Sequence, residues 1–207
     1  MIMLSVRPPT LYQRRRNLGL AGGSLWLTVI GTACATWSLF VVQSTLATVL
    51  LAVMGIFAVG LVLYGIAMTR GVLQSPFVNA VPPSRGRKIM RQFGMIFAAE
   101  IGAIAVVYVA CVKTHHWRFI VPLSIVIVGL HFLPLARLFR VPRYYVTGAL
   151  FCAIPIVTML SVPAHAHIGH SLSWITIPAV GGGLVSLATA WAGLNEVRQF
   201  VNVSRGY

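Results

Sequence analysis

The chain has 207 residues, of which 58% are hydrophobic and only 9% are charged. Because soluble domains contain roughly 25% charged residues, this composition excludes an ordinary soluble protein and indicates a membrane protein. The net charge of +14 would suggest a nucleic-acid partner for a soluble chain. Here the basic residues cluster between apolar runs, so we expect the lipid bilayer, including its anionic lipids, as the partner and no nucleic acid.

Six apolar runs are long enough to cross a bilayer, which takes ~20 helical residues. Because hydrocarbon cannot hydrogen-bond to the backbone, each run is expected to be an α-helix, and the fold class is all-α. A basic leader, residues 1–17, precedes one transmembrane domain, residues 18–196, and a short polar tail, residues 197–207, follows it. The predicted spans are 18–42, 46–68, 92–112, 119–137, 144–162 and 172–196.

The basic residues predict an orientation. Fourteen of the sixteen Lys and Arg residues lie in the leader, in the tail, or in the loops after the second and fourth spans. The other two, Lys113 and Arg118, lie between the third and fourth spans. This bias predicts that both termini are cytoplasmic, with the spans paired as three antiparallel hairpins in a bacterial-type plasma membrane.

The third and fourth spans contain an acid and a histidine in otherwise apolar sequence, Glu100 and His131. From the ~1.5 Å rise per residue, each lies roughly 10 Å inside the same membrane face. An ionised carboxylate facing lipid is costly, so Glu100 is expected to face the bundle interior. Together the two side chains form a candidate site for a proton, a cation or a substrate. The alternative is a hydrogen bond that only joins two helices.

Two more residues in the cytoplasmic half complete this candidate site. They are Glu196, near the end of the sixth span, and Arg137, at the end of the fourth. Glu196 also stands two residues before Arg198, so an interfacial ion pair is the alternative role for Glu196.

Loop residues offer two weaker candidate sites. Imidazoles bind transition metals, and five of the six histidines lie in the two loops of the opposite face: His115, His116, His165, His167 and His170. Solvated loop histidines are the alternative, and no other cofactor is predicted. A basic group in the longest loop is a candidate for anionic lipid headgroups, or a simple determinant of orientation: Arg85, Arg87, Lys88 and Arg91.

Several residues could interrupt or pack the helices. Pro155 in the fifth span and the triplet Gly181, Gly182 and Gly183 in the sixth are candidate hinges, with close helix packing as the alternative for the triplet. Small residues at helical spacing also predict close packing of the first two spans: Gly19, Gly23, Gly55, Gly60 and Gly65.

The sequence favours a transport function over an enzymatic one. There is no Walker loop, no GxSxG or HExxH motif and no aspartate, so an enzymatic role is not favoured. The leading hypothesis is a small transporter or channel, homo-oligomeric or bound to a membrane-protein partner, in which an intramembrane carboxylate binds a proton or cation. The alternatives are a noncatalytic membrane subunit with structural polar residues and a membrane metal-binding protein that uses the outer histidines.

Overall fold

The computed structural model describes residues 11–42, 44–75 and 83–205, with side chains at all of these except 11, 12, 41, 83–88, 90 and 205. Within these ranges six helices are long and apolar enough to cross a membrane, which confirms an all-helical chain with six candidate spans. They are α1 (Leu11–Val42), α2 (Thr45–Gln74), α3 (Pro83–Lys113), α4 (Ile120–Phe139), α5 (Arg143–Ser161) and α6 (Ser173–Arg205).

Helix α6 occupies the centre of the bundle. It packs against α1, α5, α2 and α4, while α4 also packs against α5 and α3. Of the six candidate spans, α6 is the most buried and α3 the least. Helix α3 is therefore peripheral, and its main neighbour in the described part of the chain is α4.

Glycines allow the closest helix contacts. A Cβ atom added to Gly183 of α6 would lie 2.7 Å from the carbonyl oxygen of Gly31 in α1. Likewise, a Cβ atom added to Gly148 of α5 would lie 2.6 Å from the carbonyl oxygen of Gly129 in α4. Both interfaces therefore need a residue without a side chain, as expected where helices in lipid approach closely.

Most of the helices extend beyond their predicted spans, and in α1 and α6 tertiary contacts stabilise the polar ends. Helix α1 begins at Leu11, inside the predicted leader, and Arg14 donates to the carbonyl oxygens of Val72, at 3.1 Å, and Leu73, at 2.5 Å. Helix α6 continues through the predicted tail to Arg205, and Ser204 hydrogen-bonds Ser75 at 2.9 Å. These contacts gather the start of α1, the end of α2 and the end of α6 at one end of the bundle, which we call the arginine-rich end.

A short β-hairpin was not expected in the connector before α6. Its strands are β1 (His167–Ile168) and β2 (Ser171–Leu172), and Gly169 between them has a φ of +61°. A side chain at Gly169 would also collide with the carbonyl oxygen of Val42, at the end of α1. The hairpin is thus seated on α1. A 3₁₀ turn, Trp117–Phe119, connects α3 to α4.

Candidate functional site

The structure brings Glu100 of α3 and His131 of α4 into contact. An Oε2 atom of Glu100 lies 2.5 Å from Nδ1 of His131, and each side chain is only 11% exposed. Apart from this contact, Nδ1 has no hydrogen-bond partner among the described residues. Of the contacts between acidic and basic side chains in the described part of the chain, this is the one that joins α3 to α4.

The two residues reach the same depth because the helices start and end at matching levels. Glu100 is nine residues from Arg91 and His131 is eight residues from Phe139, and these residues are the ends of the two candidate spans. At ~1.5 Å per residue, both side chains lie roughly 12–14 Å inside those ends. Phe93 and Phe139 are in contact there, with ring centroids 6.0 Å apart, so the two ends lie together.

Aromatic rings enclose the imidazole. Phe97 of α3 meets it edge-on with centroids 6.5 Å apart, and Phe132, the next residue of α4, lies at 5.7 Å. Apolar walls strengthen the attraction between a carboxylate and an imidazolium because they exclude water. The pair can hold one shared proton with no net charge, and a second proton would leave it with a charge of +1.

Glu196 belongs to a different cluster. Its two carboxylate oxygens contact Arg16 of α1 and Nη1 of Arg143 of α5, the latter at 2.8 Å. Nη1 of Arg143 also donates to the carbonyl oxygen of Ala192 at 3.1 Å. We call Arg16, Arg143 and Glu196 the arginine cluster; it joins α1, α5 and α6 at the arginine-rich end.

Sequence reasoning missed Arg16 and Arg143 as partners of Glu196. It considered the neighbouring Arg198, but residues two apart on a helix point in different directions, and Arg198 is exposed. The composition did contain a signal for such partners. The chain has only two acids and sixteen basic residues, so each acid is expected to have a basic or polar partner.

The remaining predicted site residues are not gathered around Glu100. Arg137 is exposed at the end of α4, and Arg91 is exposed on α3. The side chains of Arg85, Arg87 and Lys88, the other predicted lipid contacts, lie outside the described residues.

The five loop histidines are all exposed. They occupy two separate segments, the turn after α3 and the β-hairpin region before α6. Among the described residues, no group of three or more His, Cys, Asp or Glu side chains is placed to hold a metal ion. The predicted metal site therefore gains no geometric support.

The candidate hinges lie within unbroken helices. Pro155 is buried in α5, and α6 is helical through the glycine triplet. A Cβ atom at Gly181 would lie 2.9 Å from Ile154, and Gly183 packs on α1 as described. This geometry favours close packing as the role of Gly181 and Gly183.

Two apolar grooves lie between helices other than α3 and α4. One of about 780 Å³ runs between α1 and α2, and one of about 330 Å³ between α2 and α6. Neither is lined by Glu100 or His131, so these grooves do not lead to the buried pair.

No protein-family model, no curated protein and no solved structure matches the chain. The function is therefore inferred from the chain's own side chains.

Proposed function

We propose that the protein is a small membrane transporter or channel in which Glu100 and His131 bind a proton in transit. The observation that supports this most is the 2.5 Å contact between the carboxylate and the imidazole, both nearly buried and well inside candidate membrane spans. Ionisable groups at such depth are expensive and are typical of proton and ion pathways.

The chemistry of the pair favours a proton over a metal cation. When the imidazole is protonated, it neutralises the carboxylate and repels a cation. When it is neutral, one carboxylate and one imidazole are a sparse ligand set, since Zn²⁺ usually takes four ligands and Ca²⁺ takes 6–8 oxygen atoms. A proton needs only one acceptor, and carboxylate and imidazole exchange it across a short contact.

We also propose how the chain is oriented in the membrane. The fourteen basic residues of one side support cytoplasmic termini, three antiparallel hairpins and a plasma-membrane location. Helix α3 presents most of its surface outward, which leaves room for a partner beside the lipid, either a second copy of the chain or another membrane protein.

Proton flux into proteoliposomes tests the proposal. With a pH gradient imposed and a pH-sensitive dye inside, the wild-type protein should conduct protons above the level of protein-free liposomes, and Glu100→Gln should abolish that flux. Tyr108→Phe is the matched control, since Tyr108 is an exposed polar residue of the same helix. The control variant should conduct like the wild type.

A structural role for the pair is the second candidate, and the position of α3 supports it. Because α3 packs mainly against α4, an ion pair between them could serve to hold α3 in place. Equal flux in wild-type and Glu100→Gln protein, or none in either, would contradict the proton pathway. A loss of stability in Glu100→Gln without any wild-type flux would favour the noncatalytic membrane subunit.

A further inference from the structure

The arginine cluster has more positive charge than it neutralises. Two guanidinium groups, from Arg16 and Arg143, share the one carboxylate of Glu196. The cluster therefore has a formal charge of +1. Their side chains are 34% and 25% exposed and that of Glu196 is 32% exposed, so one edge of the cluster is open to solvent or headgroups.

Three donor atoms of the two arginines are without acceptors in the described part of the chain. Nε of Arg16, and both Nε and Nη2 of Arg143, are shielded from solvent and make no hydrogen bond there. Buried polar groups in native proteins are almost always hydrogen-bonded, so each such donor calls for a missing acceptor. Water would satisfy the donors but would leave the excess charge.

The location suits an anion from the membrane surface. Arg143 is the first residue of α5 and of its candidate span, so it lies at the boundary where that span would enter the membrane. The N-terminus of a helix attracts anions, and Pro142 before it supplies no side-chain cap. An oxyanion beside Arg143 would meet both the guanidinium group and the positive end of α5.

We propose that Arg16 and Arg143 bind a phosphate group at the open edge of the arginine cluster. Glu196 contacts both guanidinium groups and so fixes their orientation. The ligand would enter at the open edge and accept hydrogen bonds from the three N–H donors that are shielded from solvent. Planar guanidinium groups bind phosphate with two hydrogen bonds each, which lysine cannot do. The phosphate comes either from an anionic lipid headgroup or from a free phosphate compound.

A lipid-retention experiment tests whether the phosphate comes from an anionic lipid headgroup. The full chain is reconstituted in nanodiscs of equal phosphatidylglycerol and phosphatidylcholine, transferred to detergent, and examined by native mass spectrometry. Wild-type protein should retain phosphatidylglycerol in preference to phosphatidylcholine, and Arg143→Lys should retain about tenfold less of it. Arg198→Lys, a change of an exposed arginine in α6, should behave like the wild type.

Added inorganic phosphate tests whether the site binds a free phosphate compound. In detergent without lipid, the wild-type protein should broaden the phosphorus resonance of added phosphate if the site takes a free anion, and Arg143→Lys should remove that broadening. Retention of phosphatidylglycerol without phosphate broadening identifies the ligand as lipid. Broadening without lipid retention identifies it as a soluble phosphate compound.

Chemical protection tests the site even if a variant does not fold. Phenylglyoxal modifies accessible arginines, and peptide mass spectrometry reports each position in the wild-type protein. Phosphatidylglycerol or phosphate should slow modification of Arg16 and Arg143 but not of Arg198. The proposal is overturned if neither ligand protects Arg16 and Arg143, or if Arg143→Lys folds and binds whichever ligand the wild type binds equally well.

Discussion

At the contact between Glu100 and His131, removing either side chain leaves the other without its partner. We expect Glu100→Leu and His131→Leu each to lower the free energy of unfolding. The double variant should lose about 1 kcal/mol less unfolding free energy than the sum of the two single losses. A coupling of this size is typical of polar contacts between membrane helices. Unfolding by sodium dodecyl sulfate in mixed micelles measures the free energy of unfolding of the wild type and of all three variants.

A second pair of substitutions serves as the control for this coupling. Tyr108 is exposed on α3, eight residues beyond Glu100, or about 12 Å along the helix. Tyr108→Leu and His131→Leu should therefore be additive within about 0.5 kcal/mol. If the Glu100 and His131 effects are equally additive, the contact makes no net contribution to stability.

The two acids of the chain illustrate what sequence reasoning can reach at the scale of a residue. Counting residues along a helix gives depth, so Glu100 and His131 could be assigned to one level. Counting does not give the direction in which a side chain points or the helix that lies beside it. The partners of Glu196, Arg16 and Arg143, lie 180 and 53 positions away in the chain, and they could be found only once α1, α5 and α6 were packed together.

At the scale of helices, the contact between α1 and α6 depends on glycine. Gly183→Ala would place a Cβ atom 2.7 Å from both the carbonyl oxygen of Gly31 and the Cβ atom of Ala35. Since two backbones would have to move apart, we expect a loss of about 1–3 kcal/mol in the free energy of unfolding. The same unfolding assay measures it.

Gly60→Ala is the matched control for this substitution. Gly60 lies in α2 with nothing within 4 Å of an added Cβ atom. The change should be neutral or stabilising, by up to about 1 kcal/mol, because alanine favours helix over glycine. Equal stability of the two variants would mean that the α1–α6 interface tolerates an added methyl group.

The glycines also show where the sequence misled. Spacing predicted close packing of α1 and α2 through five glycines, and the two helices do pack, but an added Cβ atom at four of them would meet nothing within 4 Å in the described structure: Gly19, Gly23, Gly55 and Gly60. Spacing identifies small residues that could share a helix face, whereas the contact depends on which face the neighbour covers. Gly65 does pack, against Leu25 of α1.

At the scale of the whole molecule, the number of helices could be predicted and their arrangement could not. Hydropathy is a property of a continuous stretch, so six apolar runs indicate six spans. Which helices touch depends on side chains far apart in the chain. The run that forms α6 is less hydrophobic than the run that forms α3, but both are apolar enough to span, so composition alone does not assign the central and the peripheral position.

The proposed orientation makes opposite predictions for the two ends of the bundle. With Cys34, Cys111 and Cys152 replaced by alanine, single cysteines can be placed at two exposed positions, Thr114 after α3 and Asn202 in the last turns of α6. The basic residues around Asn202 put it in the cytoplasm under the positive-inside rule, and Thr114 outside. An impermeant maleimide should therefore label Thr114→Cys in intact cells, and Asn202→Cys only after permeabilisation. The reverse labelling pattern would invert the bundle and place the arginine cluster, with its proposed phosphate site, on the outer face.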